Sequence, residues 1–251
     1  MNKFTTPGWR LLLAVALPLS AGAALAAGPT GLLNDTGDVT CRDAAFQNTA
    51  CDAQARASNS FGIKLGQDGQ TGRDVASPTK VGGGAAGFDF TRICWNGAAQ
   101  GSASCTGTLV ANYSDTAQSP ATSTDWACTK DNVTNLIWSL KFATGIWSNA
   151  ASVAVLGHNG ANRCGLNAGW RLPTRRELFS IVHNGLSTMP AIDVAYFPGV
   201  NSNSYFWTSN LWDRDRTKAH TVNFDTGQDG SGYVSGGGTQ TLFFRFVHDG
   251  P

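Results

Sequence analysis

The stretch WDRDRTK sets Arg214, Arg216 and Lys218 at alternate positions. On an extended backbone, side chains two apart share a face, so the three cations would line one side and suit a sulfate or a carboxylate. Asp213 and Asp215 alternate with them, and a solvated, charge-balanced loop is the competing reading. Just upstream, Tyr205, Phe206, Trp207 and Trp212 stand among Ser202, Ser204, Thr208, Ser209 and Asn210. Flat rings mixed with short hydrogen-bonding groups are the chemistry of binding loops. The rings can stack on sugar C–H surfaces while the polar groups reach hydroxyls. Alternation along SYFWTSN puts Tyr205 and Trp207 on one side and Phe206 and Thr208 on the other, and at least one side faces a core. The candidate ligand-binding set is Tyr205, Trp207, Asn210, Trp212, Arg214, Arg216, Lys218 and Tyr233, carried between positions 201 and 238.

Two further stretches could hold a hard cation. DTGQDGSG places Asp225 and Asp229 in a glycine-rich loop, where two carboxylates and backbone carbonyls would give calcium part of the oxygen shell it needs. A plain hairpin connection explains the same residues, and the closing glutamate of an EF-hand is missing. GQDGQTGRD, with Asp68 and Asp74, carries the same ambiguity. No cofactor is expected, and calcium is the one that these stretches leave open.

Catalytic chemistry finds little support. Glu177 is the sole glutamate, and it follows Thr174 by three positions, the spacing of a capping box that engages its carboxylate with the backbone. A zincin helix needs a glutamate between two histidines, which His158, His183, His220 and His248 do not provide; each reads as a surface or turn residue. Most aspartates sit beside Gly, Asn or Thr, where turn formation accounts for them. There is no G-x-S-x-G elbow and no Walker loop. The chain reads as a non-enzyme.

The compartment follows from the first residues. Lys3 and Arg10 flank the opening, Leu11 to Leu19 is apolar, and Ala24, Leu25 and Ala26 offer a small-x-small cleavage site, so residues 1–26 read as a signal peptide. The apolar run falls short of the roughly 20 residues that span a bilayer, and no later segment is apolar enough to do so. The expected location is the periplasm or the cell exterior. Without Lys3 and Arg10 the basic residues fall from 18 to 16 against 17 acidic ones, a net of −1 that argues against a nucleic-acid partner. Six cysteines in an exported chain favour disulfides over thiol or metal chemistry. Of the 15 pairings six cysteines allow, spacing suggests Cys41–Cys51, Cys94–Cys105 and Cys128–Cys164, each enclosing one local segment.

Charged residues make up 14% and glycines number 30, the composition of a loop-rich chain with short strands. The turn-dense stretches before residue 88 predict an extended region held by cysteines. FDFTRICW alternates as a strand over 88–95, CTGTLVANY as a second, and NVTNLIWSLK as a third. SNAASVAVLG reads as a short helix opened by Ser148. A second helix starts at Thr174, buries Leu178, Ile181 and Val182, and stops at Gly185. SYFWTSN, AHTVNFD and TLFFRFVHD then read as three strands joined by a loop at LWDRDRTK and a glycine-rich connection. The polar run after Tyr113 is the best boundary. This divides the chain into the leader 1–26, a loop-rich β region 27–120 with disulfides, and an α+β domain 121–251 with two short helices and an antiparallel sheet.

The strings NLIWSLK, IWSNAAS, GWRLPTRREL, PAIDVAYFP, SYFWTSN and LFFRFVHDG, in that order, resemble the Lcl C-terminal domain family, the domain that ends a bacterial collagen-like surface adhesin. The resemblance covers about the last half of the chain, and the WRLPTxxEL string is its most specific part. It implies a C-type-lectin-like domain used on cell surfaces for binding, with glycosaminoglycan attachment in the collagen-like member, and at the entry to the second helix it implies Trp170 in the core and Arg171 as a tie between neighbouring strands through carbonyl or carboxylate contacts. This chain lacks a Gly-X-Y stalk, which puts stalk-driven trimerisation in doubt. The expected function is recognition or adhesion: binding of a glycan, sulfated polysaccharide included, or of a surface protein. The alternative is a structural subunit of an extracellular filament or envelope assembly, with a homo-oligomer as its partner.

Overall fold

In the strand run LFFRFV, every residue but Arg245 is apolar, on both alternating faces, a pattern that a sheet exposed on one side does not tolerate. The computed structural model, which describes residues 34–39, 41–42, 48–49, 72–73, 79–114, 125–200, 204–235 and 238–250, shows why. One seven-stranded sheet is covered on both faces. Its strands are β3 (Phe90–Cys94), β4 (Trp126–Asp131), β5 (Ile137–Gly145), β6 (Tyr205–Leu211), β7 (Lys218–Asn223), β8 (Gln228–Tyr233) and β9 (Leu242–His248), in the order β3-β4-β5-β9-β6-β7-β8. A separate two-residue pair joins β1 (Cys41–Arg42) to β2 (Asn48–Thr49). The leader, Cys51, and Asp68 with Asp74 lie outside the described residues.

Alternation sends neighbouring residues to opposite faces. Trp138, Phe206, Val222 and Val247 enter one core, under Leu178, Ile181, Val182, Ile192 and Phe197. Ile137, Trp207, Ala219, Phe244 and Phe246 enter the other, under Ala150, Ala154, Cys164 and Trp170. The first face is covered by helix α2 (Arg175–Phe179) and the chain after it, the second by α1 (Ala150–Ala154) and its flanking turns. The result is predominantly sheet with few helical turns, in keeping with the α+β class.

The sheet departs from the expected antiparallel meander. β9 pairs antiparallel with β5 but parallel with β6, through Phe206 and Phe243, so the last strand lies in the middle. β6 and β9 meet at that one register position, and the Arg171–Pro173 run fills the space between them further along: Arg171 exchanges two backbone hydrogen bonds with Val247, and Pro173 accepts one from Ser209. The glycine-rich connection contains the strand β8. CTGTLVANY is no strand; only Ala111 bridges to Trp126.

The helix starts also differ from each other. Thr174 caps α2 with its side chain, whereas the turn before α1 begins at Ile146 with no side-chain cap, and Ser148 lies inside a 3-10 turn over Trp147–Asn149. The expected cap at Ser148 is thus corrected. Gly185 does not stop α2, which ends at Phe179; it has no positive φ and is needed instead because a Cβ there would sit 1.7 Å from the Gly37 carbonyl oxygen.

Cys94–Cys105 and Cys128–Cys164 are bonded as expected; the third expected bond involves Cys51, outside the described residues. Contacts cross the expected division at residue 120/121. β3 pairs with β4 across it, the Asn34 amide donates to Asp131 at 2.6 Å, and buried Arg163 donates to the carbonyls of Asn112, Ser114 and Ala127. Among the described residues, no helix is long and apolar enough to cross a membrane.

Candidate functional site

The start of α2 is fastened before it can present anything. Glu177 accepts from the Thr174 amide at 2.7 Å, and the Thr174 hydroxyl accepts from the Glu177 amide at 3.2 Å, closing the capping box. Both Glu177 oxygens also receive the Arg171 guanidinium, at 2.9 and 2.8 Å, and Arg171 reaches Asp249 as well. Burial by itself would raise the Glu177 pKa, but the hydrogen bonds from Arg171 and Thr174 outweigh it and hold the carboxyl below its ordinary value. The hydrogen bond to Glu177 raises Arg171 in turn. Glu177 is therefore a charged anchor with both oxygens occupied, and Trp170 beside it is core, as expected.

Arg175, the first residue of α2, projects over the sheet. Its guanidinium meets Asp229 of β8 at 2.8 and 3.1 Å, and its amide donates to the Asn210 side chain at 2.7 Å. Asp229 lies 3.4 Å from His220 of β7, and the Trp212 ring stacks on His220 with centroids 4.6 Å apart. Two residues from His220, Lys218 stands 4.5 Å from the centre of the Tyr233 ring, its partner across β7 and β8. Contact with Tyr233 raises the Lys218 pKa. An opening of about 300 Å³ runs beside this group, lined by Thr174, Arg175, Arg176, Asn210, Asp213 and His220. It adjoins a second, of about 440 Å³, that shares Arg175 and Arg176 and reaches Phe179, Asn184 and Asn34. Cations, stacked rings and amide groups thus share one surface, equipped for a polar ligand with negative charge.

Four of the expected ligand residues come together here: Asn210, Trp212, Lys218 and Tyr233. The others do not. Trp207 is fully buried on the opposite face, with its indole N–H donated to the Gly145 carbonyl at 3.1 Å, so its assignment to the binding surface is corrected. Tyr205, on the same face as Trp207, stays exposed above Gly230. Arg214 and Arg216 are exposed, but residues 213–217 fold into turns with Asp215 bonded to the Thr217 amide at 3.0 Å, so no extended cationic stripe forms. Asp225 and Asp229 do not form a calcium loop: Asp229 lies within β8 and is committed to Arg175, and among the described residues no three metal-ligating side chains gather. Reading the sequence missed Arg175 and His220. The pair of arginines directly after the cap was the available signal for the first; His220 depends on the β7–β8 register, which no local pattern announces.

The histidines are less exposed than expected. His158 and His183 are buried. His158 Nε2 lies 2.8 Å from the Ser139 hydroxyl, a contact with the form of a nucleophile and its base. Burial, then Arg163 and Lys141, pushes the imidazole down to about 2, and both residues are sealed in the core. The pair is a structural link between β5 and the turn over Val155–Asn159.

Residues 127–248 match the family model of the Lcl C-terminal domain. A search of curated proteins finds no match to the chain.

Proposed function

Residues 127–248 being an Lcl C-terminal domain, we propose that the chain is a secreted recognition module that binds an anionic glycan, such as a sulfated polysaccharide, on the α2 side of β6, β7 and β8. The family suggests an extracellular surface domain, and the two disulfides are consistent with that location. The observation that carries the reading is a surface of cations and rings beside one opening: Arg175 and His220 line it, Trp212 stacks on His220, and Lys218 stands over Tyr233 two residues from His220 on β7. A sulfate or uronate would exchange with Asp229 for the Arg175 guanidinium while sugar faces stack on the rings. A C-type-lectin-like ancestry for the fold belongs to the same reading.

The test is retention on immobilised sulfated polysaccharide at low and moderate salt, with neutral polymers as controls. Wild type should bind and weaken as salt rises. The Arg175→Ala, Lys218→Ala double variant should lose at least ten-fold in affinity with an unchanged melting temperature, while Arg214→Ala with Arg216→Ala loses less. No binding by wild type to any sulfated polymer, or equal binding by the first double variant, overturns the proposal.

A second reading, subunit of an extracellular assembly, has one observation in its favour: β8 stands at an end of the sheet order with one neighbour, whereas the outer edge of β3 is already bonded by Gly83, Ala98 and Gln100. Against it, Gln240 covers one end of the β8 edge, bonding both backbone groups of Tyr233 at 3.1 and 3.2 Å. Light scattering decides: a concentration-dependent polymer supports assembly, and a monomer removes it.

A further inference from the structure

His220 stands where the charges of the candidate surface meet. Its Nδ1 lies 3.4 Å from Oδ1 of Asp229, while the Arg175 guanidinium holds Oδ2 of the same carboxylate at 2.8 and 3.1 Å. One anion is thus shared between a permanent cation and a titratable ring. The Trp212 ring covers one face of the imidazole, with centroids 4.6 Å apart and planes 22° from parallel. His220 lines the opening of about 300 Å³ beside the stacked rings, and its side chain, 16% exposed, can be reached from there.

The two ring nitrogens have different tasks. A carboxylate only accepts, so contact with Asp229 places the proton of the neutral ring on Nδ1. Nε2 then carries a lone pair. It has no hydrogen-bond partner among the described residues and is not sealed from solvent. That lone pair repels the oxygens of a sulfate or a uronate. Protonation turns Nε2 into an N–H donor and adds a positive charge beside an arginine that Asp229 already balances. Imidazole is the side chain that ordinarily makes this change between about pH 5 and 8. Charges reach His220 from each neighbouring element. Asp229 on β8, Asp213 in the turn after β6 and the face of Trp212 favour the imidazolium. Arg175 and Arg176 on α2 oppose it, as does Lys218 on β7, itself set between Asp215 and Tyr233. A bound anion joins the first group, so ligand and proton reinforce each other.

We propose that His220 makes anion binding at this surface depend on pH, so that an anionic glycan is held more tightly in mildly acidic than in neutral surroundings. The inference rests on the reading of the surface as an anion-binding site and adds its regulation. With the ring neutral, Asp229 cancels Arg175 and the ligand must displace a carboxylate fixed in place. With the ring protonated, two cations face one carboxylate, and one positive charge is left for the ligand.

The test is the affinity of the protein for dextran sulfate at about pH 7.5, 6.5 and 5.5 and constant ionic strength, with neutral dextran as control and the fold checked by thermal melting at each pH. Sulfate esters stay ionised over this range, so a change in affinity reports protons on the protein. Wild type should bind about five-fold tighter at the lowest pH than at the highest. His220→Gln keeps a hydrogen-bonding amide but cannot gain a charge, and its affinity should be flat across the range. The His220 ring resonances, followed by NMR with and without the polymer, should titrate at higher pH when the polymer is bound. A wild-type affinity independent of pH, a His220→Gln variant with the wild-type slope, or a ring titration that bound polymer does not move overturns the inference. Should dextran sulfate still bind in those cases, the regulation alone fails; should wild type bind it at none of the three pH values, the reading of the surface fails with it.

Discussion

The Trp207 indole occupies the space that a side chain at Gly232 would need: a Cβ there would lie 2.4 Å from the ring. Two residues earlier on the same face, a Cβ at Gly230 would lie 2.9 Å from the Thr221 hydroxyl oxygen, with the Tyr205 ring in contact at 3.5 Å. The glycines of DGSGY are therefore part of a strand, empty on one face so that rings from β6 can lie across it.

Gly232→Ala should destabilise the domain by about 1–3 kcal/mol through overpacking, although alanine is the better residue in an unobstructed strand. Urea unfolding midpoints check this. A midpoint that stays or rises would mean that Trp207 does not bear on Gly232.

Thr174→Ala should lower stability by about 1 kcal/mol, because the first turn of α2 loses its cap. Arg171→Lys keeps the charge but loses the two-pronged contact with Glu177, and it too should lower the melting temperature. Thermal melts of both variants measure this, and a lysine variant indistinguishable from wild type would reduce Arg171 to a surface charge.

Acid should weaken the fold through His158. Its folded pKa of about 2 lies below the unfolded value near 6.5, so the unfolded chain binds the extra proton first. The contribution is fully present above about pH 6.5 and is lost as pH falls toward 2, by up to about 1.4 kcal/mol per unit. Burial lowers His183 and His248 as well, so the diagnostic is a difference: His158→Gln should show a shallower fall in urea midpoint between pH 6.5 and 4.5 than wild type. Parallel curves would mean that His158 takes up its proton without unfolding.

Replacing Cys128 and Cys164 with serine opens a loop with a sequence separation of 36 and should cost about 4 kcal/mol on the loop-entropy model. Opening the Cys94–Cys105 loop, with a separation of 11, should cost less. Denaturant titrations of the two double variants give the order; the reverse order would mean that strain or residual unfolded structure dominates.

What was legible in the sequence was what neighbouring residues decide among themselves. The box between Thr174 and Glu177 spans one helical turn, and the two described disulfides each close one segment, so spacing sufficed. The core position of Trp170 and the tie made by Arg171 came instead with the family resemblance. What escaped depends on partners far along the chain. Glycines in QDGSGY suggest a turn until Trp207 and Tyr205 are laid over them. The alternation of Tyr205 and Trp207 was correct, but one covered face was assumed as the minimum, and the structure covers both over most of the sheet. Four of the eight residues expected to bind lie on the candidate surface, Asn210, Trp212, Lys218 and Tyr233; Arg175 and His220 join it only because α2 packs over β7 and β8.

The position of β9 has a consequence for how this protein is made. It is the last of the seven strands to leave the ribosome, yet β5 and β6 lie on either side of it, so until it arrives each has an open flank. A growing chain cannot complete the sheet and reaches its final shape only after the strand has been delivered. That delay lengthens the interval in which uncovered phenylalanines need shielding.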